Sequence, residues 1–211
     1  MGAATIPSPN RKNEYRATGI VVGQFLPDDS DNRRGVLLTS DGVPFPARSA
    51  FPWFRPKGAM LEQAIAWRAW PKPNRQAGLE FALKGPCKDE NGELLTEAEE
   101  RFSIRGQLKW WKPKEGKLAI AIRANKDAPR RFKPFFLILQ GRLSSPRAES
   151  FWAIEAGREG RGLELLDGRE VLPPKSPKPN KQRKDQKQNG KQGAKGNKVQ
   201  KAQKQETKSN G

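Results

Sequence analysis

Four stretches of this sequence interleave aromatic rings with cations. Phe51, Trp53, Phe54, Arg55 and Lys57 form the first, and Trp67, Arg68, Trp70, Lys72 and Arg75 the second. Lys109, Trp110, Trp111, Lys112, Lys114 and Lys117 form the third, and Arg130, Arg131, Phe132, Lys133, Phe135 and Phe136 the fourth. A ring stacks on an unpaired base for about 1–3 kcal/mol, and a cation neutralises a backbone phosphate with a salt-dependent gain. The combination suits a polyanion that also offers flat rings, which is single-stranded nucleic acid. Rings also fill β-sheet cores. Trp67, Trp110, Trp152, Phe81 and Phe102 fall on apolar faces and are expected inside, whereas Trp70 and Trp111 fall on polar faces and are expected outside.

Other chemistries lack their parts. The chain has no histidine and one cysteine, Cys87, which leaves no Ser-His-Asp triad, no disulfide and no usual zinc site. Acids gather at Asp28, Asp29 and Asp31 and at Glu97, Glu99 and Glu100. Either group could in principle hold Mg²⁺ for phosphodiester chemistry, but both lie in predicted loops without a phosphate cradle or a base. No catalytic residue, cofactor or metal is expected. The 41 Lys and Arg against 23 Asp and Glu give a net charge of +18, which attracts RNA, DNA or an anionic membrane surface. No run of eighteen apolar residues is present, and the first fifteen residues lack a signal-peptide core, so a cytoplasmic protein is expected.

The elements that must position these residues are strands. Residues 102–125 read as a hairpin with two faces: Phe102, Ile104, Gly106, Leu108 and Trp110 on one, Ser103, Arg105, Gln107, Lys109 and Trp111 on the other. Lys112-Pro113-Lys114-Glu115-Gly116 makes the turn, and Leu118, Ile120 and Ile122 point inward on the return. An ordinary solvated basic face has the same pattern. Earlier strands are expected over 15–27, over 33–42 closing in an Asp-Gly turn, and over 43–50, where Pro44 and Pro46 allow an edge at best. Residues 58–70 read as a short helix or turn running into a strand near residue 64, followed by a strand over 79–85. After the hairpin come strands over 135–143, 150–157 and 163–168.

The segments repeat. YRATGIVVGQFLP matches FSIRGQLKWWKP, with a glycine fifth in each, and AWRAWPKPNRQAGLEFALKG parallels LQGRLSSPRAESFWAIEAG. The expected organisation is a flexible arm over 1–14, a first β unit over 15–86 and an acidic linker over 87–101. A second β unit over 102–172 and a Lys/Gln-rich tail over 173–211 follow. The tail holds twelve Lys or Arg against two acids, +10 of the total +18, and is too polar to offset its ordering entropy, so disorder is expected.

Ten short strands with basic–aromatic faces resemble the oligonucleotide-binding (OB) barrel at the level of fold. The resemblance covers residues 15–172 and carries no family motif; the helix between third and fourth strands has a candidate only in the first half. The expected fold is mainly β: two tandem five-stranded OB-like barrel or sheet units with little helix and a disordered basic tail. The expected function is non-catalytic binding of single-stranded RNA, with single-stranded DNA as runner-up. Candidate contact residues are Arg68, Trp70, Lys72, Arg105, Lys109, Trp111, Lys112, Lys114, Lys117, Arg130, Arg131 and Lys133. The alternative is a protein-interaction scaffold whose tail touches RNA or an acidic partner. No small-molecule substrate and no membrane span are expected, and a protein partner is left open.

Overall fold

Alternating apolar residues bounded by Gly, Pro and Asp turns produce ten strands. The computed structural model describes residues 4–126 and 132–174. The strands are β1 (Arg16–Asp28), β2 (Asp31–Thr39), β3 (Pro44–Ser49), β4 (Ile65–Asn74), β5 (Gly78–Pro86), β6 (Arg101–Lys112), β7 (Lys117–Ile122), β8 (Phe135–Gln140), β9 (Phe151–Glu159) and β10 (Gly162–Leu172), with one short helix, α1 (Ala59–Glu62). The expected basic tail lies outside the described residues from 175 onward, as do Arg130 and Arg131.

The pairings close two rings of the same design. The first runs β1-β2-β3-β5-β4 and back to β1; the second runs β6-β7-β8-β10-β9 and back to β6. In each, the third and fifth strands pair in parallel and the other pairs are antiparallel. Closure removes free sheet edges. β3 is therefore no edge, although its two prolines suggest one. Pro44 and Pro46 point outward, Phe45, Ala47 and Ser49 point inward, and β3 pairs with β2 on one side and with β5 through Ala47–Ser49 on the other. Helix α1 lies between β3 and β4, tied to β1 by the Gln24 amide, which donates to the Leu61 carbonyl at 2.9 Å.

The rings also settle which segments are equivalent. Gly106 sits opposite Trp152 on β9 just before the strand turns to pair with β7; Gly23 sits opposite Ile65 on β4 where β1 turns to pair with β2. Gly23, not Gly19, is the counterpart of Gly106. The strand that corresponds to β4 is likewise β9, so SFWAIEAG matches IAWRAW rather than LEFALKG. The repeat exists as topology, and spacing in the sequence puts it out of step because loop lengths differ between the halves.

One apolar cluster runs through both barrels. Val21, Phe25, Leu37, Phe45, Trp67 and Phe81 fill the first, and Ile104, Leu108, Leu118, Ile120, Leu137, Leu139 and Ile154 fill the second. The Trp67 indole donates to the Gly23 carbonyl at 2.9 Å, which satisfies its one polar atom inside the core. β1 and β6 join the barrels by pairing from Arg16↔Arg105 to Gly19↔Phe102, and Phe102 stacks on Phe81 at 6.0 Å between ring centres. A side chain at Gly19 would run into the Phe102 ring and the Arg101 carbonyl. A smaller cluster of Ile20, Val22, Ala66 and Cys87 is covered by Ala4, Ile6, Leu95 and Ala98, so residues from the expected arm and linker lie on the outside of β1 and β4.

A single guanidinium ties the barrels together on the opposite side. Arg158 on β9, only 6% exposed, donates to Glu100 at 2.5 Å, to both oxygens of Asp41 in the β2–β3 turn at 2.8 and 3.1 Å, and to the Gly160 carbonyl at 3.1 Å. The other Glu100 oxygen accepts from the Val22 amide at 2.9 Å. Burial works against the Arg158 charge, and the hydrogen bonds to Asp41 and Glu100 outweigh it and raise its pKa. The same bonds hold the Asp41 carboxyl down at about 2.

Two outcomes follow. Gly19→Ala should cost about 2 kcal/mol or more in chemical denaturation, as overpacking against a rigid neighbour does. The Asp41 pKa lies below its unfolded value of 3.8, so its contribution is complete above pH 3.8 and fades as pH falls through about 2. Wild-type stability measured down that range should drop more steeply than that of Asp41→Asn; parallel curves would show that Arg158 does not hold Asp41.

Candidate nucleic-acid interface

Directly opposed residues in an antiparallel pair share a face. Leu108 opposes Ile120, then a bulge at Lys109 shifts the register, so that Trp110 opposes Ala119 and Trp111 opposes Leu118. The extra residue reverses the alternation. Trp110, expected inside, stands half-buried on the outer face with the Lys112 ammonium 5.8 Å above its ring. Trp111, expected on the outer face, continues the side of buried Leu118 at the end of the barrel, where it is 38% exposed.

This bulge completes an outer face across β6, β7 and β8. Trp110, Ala119 and Ile138 lie in one row, and Gln107, Ala121 and Phe136 in another. Phe136 and Ile138 are about half exposed, while Ala119 and Ala121 are buried because larger neighbours stand over them on both sides. Solvent therefore meets Trp110 on β6 and Phe136 and Ile138 on β8, with the two alanines covered between them. A third row, Lys112, Lys117 and Gln140, closes one end. β8 also borders a groove of about 660 Å³ whose far wall is the β4–β5 turn of the first barrel, with Arg75 and Arg161 on its rim.

The hairpin cations are partly engaged. Glu115 accepts from Lys112 at 2.9 Å and lies 3.7 Å from Lys117, and Lys109 pairs with Glu149 at 2.9 Å. The Lys112 hydrogen bond, before any other influence, lowers the Glu115 pKa. Lys114 is exposed at the turn, and Lys133 is exposed beside the Phe132–Phe135 ring pair.

Arg105 requires a correction. It is on the outer face as expected, but the N-terminal segment covers it and leaves it 6% exposed, with one guanidinium nitrogen donating to the Lys12 carbonyl at 2.6 Å. Burial first, and then the Arg169 charge, lowers its pKa. As placed, it offers no open contact for a phosphate. On the first barrel, Arg68 is exposed, and Trp70 and Lys72 are half-buried on the outer face of β4 beside Lys84, whose ammonium sits 5.1 Å over the Trp70 ring. Sequence reasoning missed Arg48 and Lys84 on this face. Period-two spacing within β3 and β5 places them outward, and only the pairing Arg48↔Ala82↔Trp70 brings those strands together.

Three of the six acids that could in principle hold Mg²⁺ serve instead as partners to arginines. Asp31 pairs with Arg33 at 3.0 Å, Glu99 with Arg101 at 2.6 Å, and Glu100 with Arg158. Cys87 is buried, and burial pushes its thiol up, away from nucleophilic use. Among the described residues no helix is long and apolar enough to cross a membrane.

Two closed five-strand rings, each with third and fifth strands parallel, are OB-like barrels. Residues 104–172, which span all but the first three residues of the second barrel, match a family described as "Cyanobacterial OB-fold-like RNA-binding domain, C-terminal". That similarity supports RNA binding. No curated protein and no solved structure matches the chain.

The position of Trp110 is directly testable. Trp110→Ala should cost only about 1 kcal/mol in a denaturant melt, against roughly 3–5 kcal/mol for truncating a core tryptophan such as Trp67. Equal losses at the two sites would place Trp110 in the core after all.

Proposed function

We propose that this protein binds single-stranded RNA without catalysis, principally on the β6–β7–β8 face of the second barrel. The observation that carries the reading is the pair of rings on this outer face, partly exposed Trp110 and half-exposed Phe136, with lysines beside them, inside the segment similar to an RNA-binding domain. Exposed rings take unpaired bases by stacking, and bases already stacked in a duplex offer them no free face, so the chemistry selects single strands. Lys112, Lys114 and Lys117 at one end, and Arg75 and Arg161 across the groove, take the phosphates. Phosphates compete with Glu115 for Lys112 and Lys117, which makes the contact salt-sensitive. Arg68, Trp70 and Lys72 add a basic surface on the first barrel. The Lys/Gln-rich segment 173–211 adds sequence-independent phosphate contact through its twelve cations.

A second reading, binding to a protein, has one observation in its favour. On the first barrel the equivalent face presents exposed Leu26, Val36 and Leu38 beside Pro44 and Pro46, with no ring among them. Such an aliphatic patch suits a protein surface better than a base.

The test is oligonucleotide affinity over a range of salt. Phe136→Ala, half exposed and therefore tolerant of truncation, should lose roughly 1–3 kcal/mol of affinity for a single strand while keeping the salt slope. Lys112→Ala should lower the log–log slope by about 0.7, and deleting 175–211 should lower it further for all sequences alike. Tight binding to duplex and single strand alike, unaffected by Phe136→Ala, would sink the proposal. Failure of the full chain to bind any oligonucleotide would favour the protein-binding reading.

A further inference from the structure

The second barrel accounts for only one of the exposed ring groups. On the first barrel, the segment after β3 carries Phe51 and Trp53 with their rings stacked at 5.1 Å and an interplanar angle of 6°. Phe51 is braced edge-on by Trp70 at 5.7 Å, and Phe54 braces Trp53 edge-on at 6.3 Å. Trp70 in turn carries the Lys84 ammonium over its own face. Trp53, between Phe51 and Phe54 in this ladder, is 75% exposed, the most exposed large apolar side chain among those described. The indole is therefore held in one orientation by its neighbours, yet most of its surface stays in water, an arrangement that folding alone does not favour.

The surroundings identify what would cover it. Arg48 and Lys72 share the outer face with Trp70 and Lys84, and Glu80 is the acid facing them from β5. Burial, then the neighbouring charges of Arg48 on Lys72 and of Arg68 and Arg16 on Lys84, lowers both lysine pKa values, as expected where cations outnumber anions. A preoriented indole beside a cluster of cations complements a base with its flanking phosphates. A protein segment that used the indole would have to bring several carboxylates as well.

We propose that Trp53 is the stacking platform of a second single-stranded RNA site, on the first barrel and outside the segment similar to the RNA-binding domain. One unpaired base stacks on the indole, and Arg48, Lys72 and Lys84 hold the adjacent phosphates. The proposal rests on the RNA-binding reading above and extends it to a surface on the β3–β5–β4 side.

The experiment measures binding of the full chain to oligoadenylate and to an abasic RNA of equal length, which keeps the phosphates and lacks the bases. Trp53→Ala removes a mostly exposed side chain and should leave the melt unchanged. It should weaken oligoadenylate binding roughly 5- to 100-fold while leaving abasic RNA unaffected, and Trp53→Phe should restore most of the loss. Equal weakening toward both RNAs would mean that Trp53 acts on the shape or charge of the loop, and would overturn the stacking role. If Phe136→Ala weakens binding and Trp53→Ala does not, the second-barrel site stands and this one fails. If wild-type protein binds neither RNA, both readings fail together.

Discussion

The Arg158 guanidinium is the interaction on which the arrangement of the two barrels depends. It belongs to β9 of the second barrel, and its partners are the β2–β3 turn of the first barrel and the segment between the barrels. A charge this buried is costly unless its donors find acceptors, and here two carboxylates and a carbonyl accept four hydrogen bonds from it. Glu100 passes the constraint on to β1 through the Val22 amide. On the far side, Arg16 reaches from β1 to the Ser103 hydroxyl at 2.8 Å and to the Pro7 carbonyl at 2.7 Å, and Tyr15 exchanges two backbone hydrogen bonds with the Asn125 amide. With strand pairing between β1 and β6 and these polar clamps, a rotation of one barrel on the other would break several hydrogen bonds at once. The groove between β8 and the β4–β5 turn draws its walls from the two barrels so joined.

The same ring is used twice, but the two copies expose different chemistry. Across the first three strands, the first barrel turns outward Leu26, Val36 and Leu38, while the second turns outward Trp110, Phe136 and Ile138. The rings of the first barrel stand on another side, on β4 and in the segment after β3. A ring closed by hydrogen bonds fixes the inner face by packing and leaves the outer face free to vary, so a shared topology says little about a shared surface. The segment similar to an RNA-binding domain is the copy whose first-three-strand face carries the rings.

Much of the fold was legible because period-two alternation and turn residues are local. Strand existence, the short helix near residue 60 and the division into two five-stranded units all follow from runs of a few residues. Features set by contacts between distant segments were less legible. The two prolines of β3 suggest an edge strand, but both point outward, and the closed ring pairs β3 on both sides. The repeat looked in step with Gly19 because glycine spacing within a strand carries no information about which neighbour the strand turns to meet. Arg105 looked open because nothing in a strand's own pattern shows that a distant segment, here Pro9 to Lys12, will lie across it.

The bulge at Lys109 changes which side chains the end of β6 turns outward. Strict alternation from Phe102 onward puts Trp110 inside and Trp111 outside; one extra residue moves Trp110 to the outer face, while Trp111, at the barrel end, stays 38% exposed. The sequence offers a weak sign of it: two adjacent tryptophans followed by a Lys-Pro turn cannot both serve the core, and the tighter twist of a bulge lets both remain partly covered. Because the bulge lies at the end of β6, the core below it is unaffected; Leu108 still meets Ile120, and Ile104 still meets Ile154. Only the last turn of the barrel wall changes face, and with it the ring that stands beside Ala119. Removing one residue there would turn Trp110 inward and take its ring off the outer face. Which ring stands on that face is thus set by backbone geometry at a single position, largely independent of the packing that holds the barrel closed.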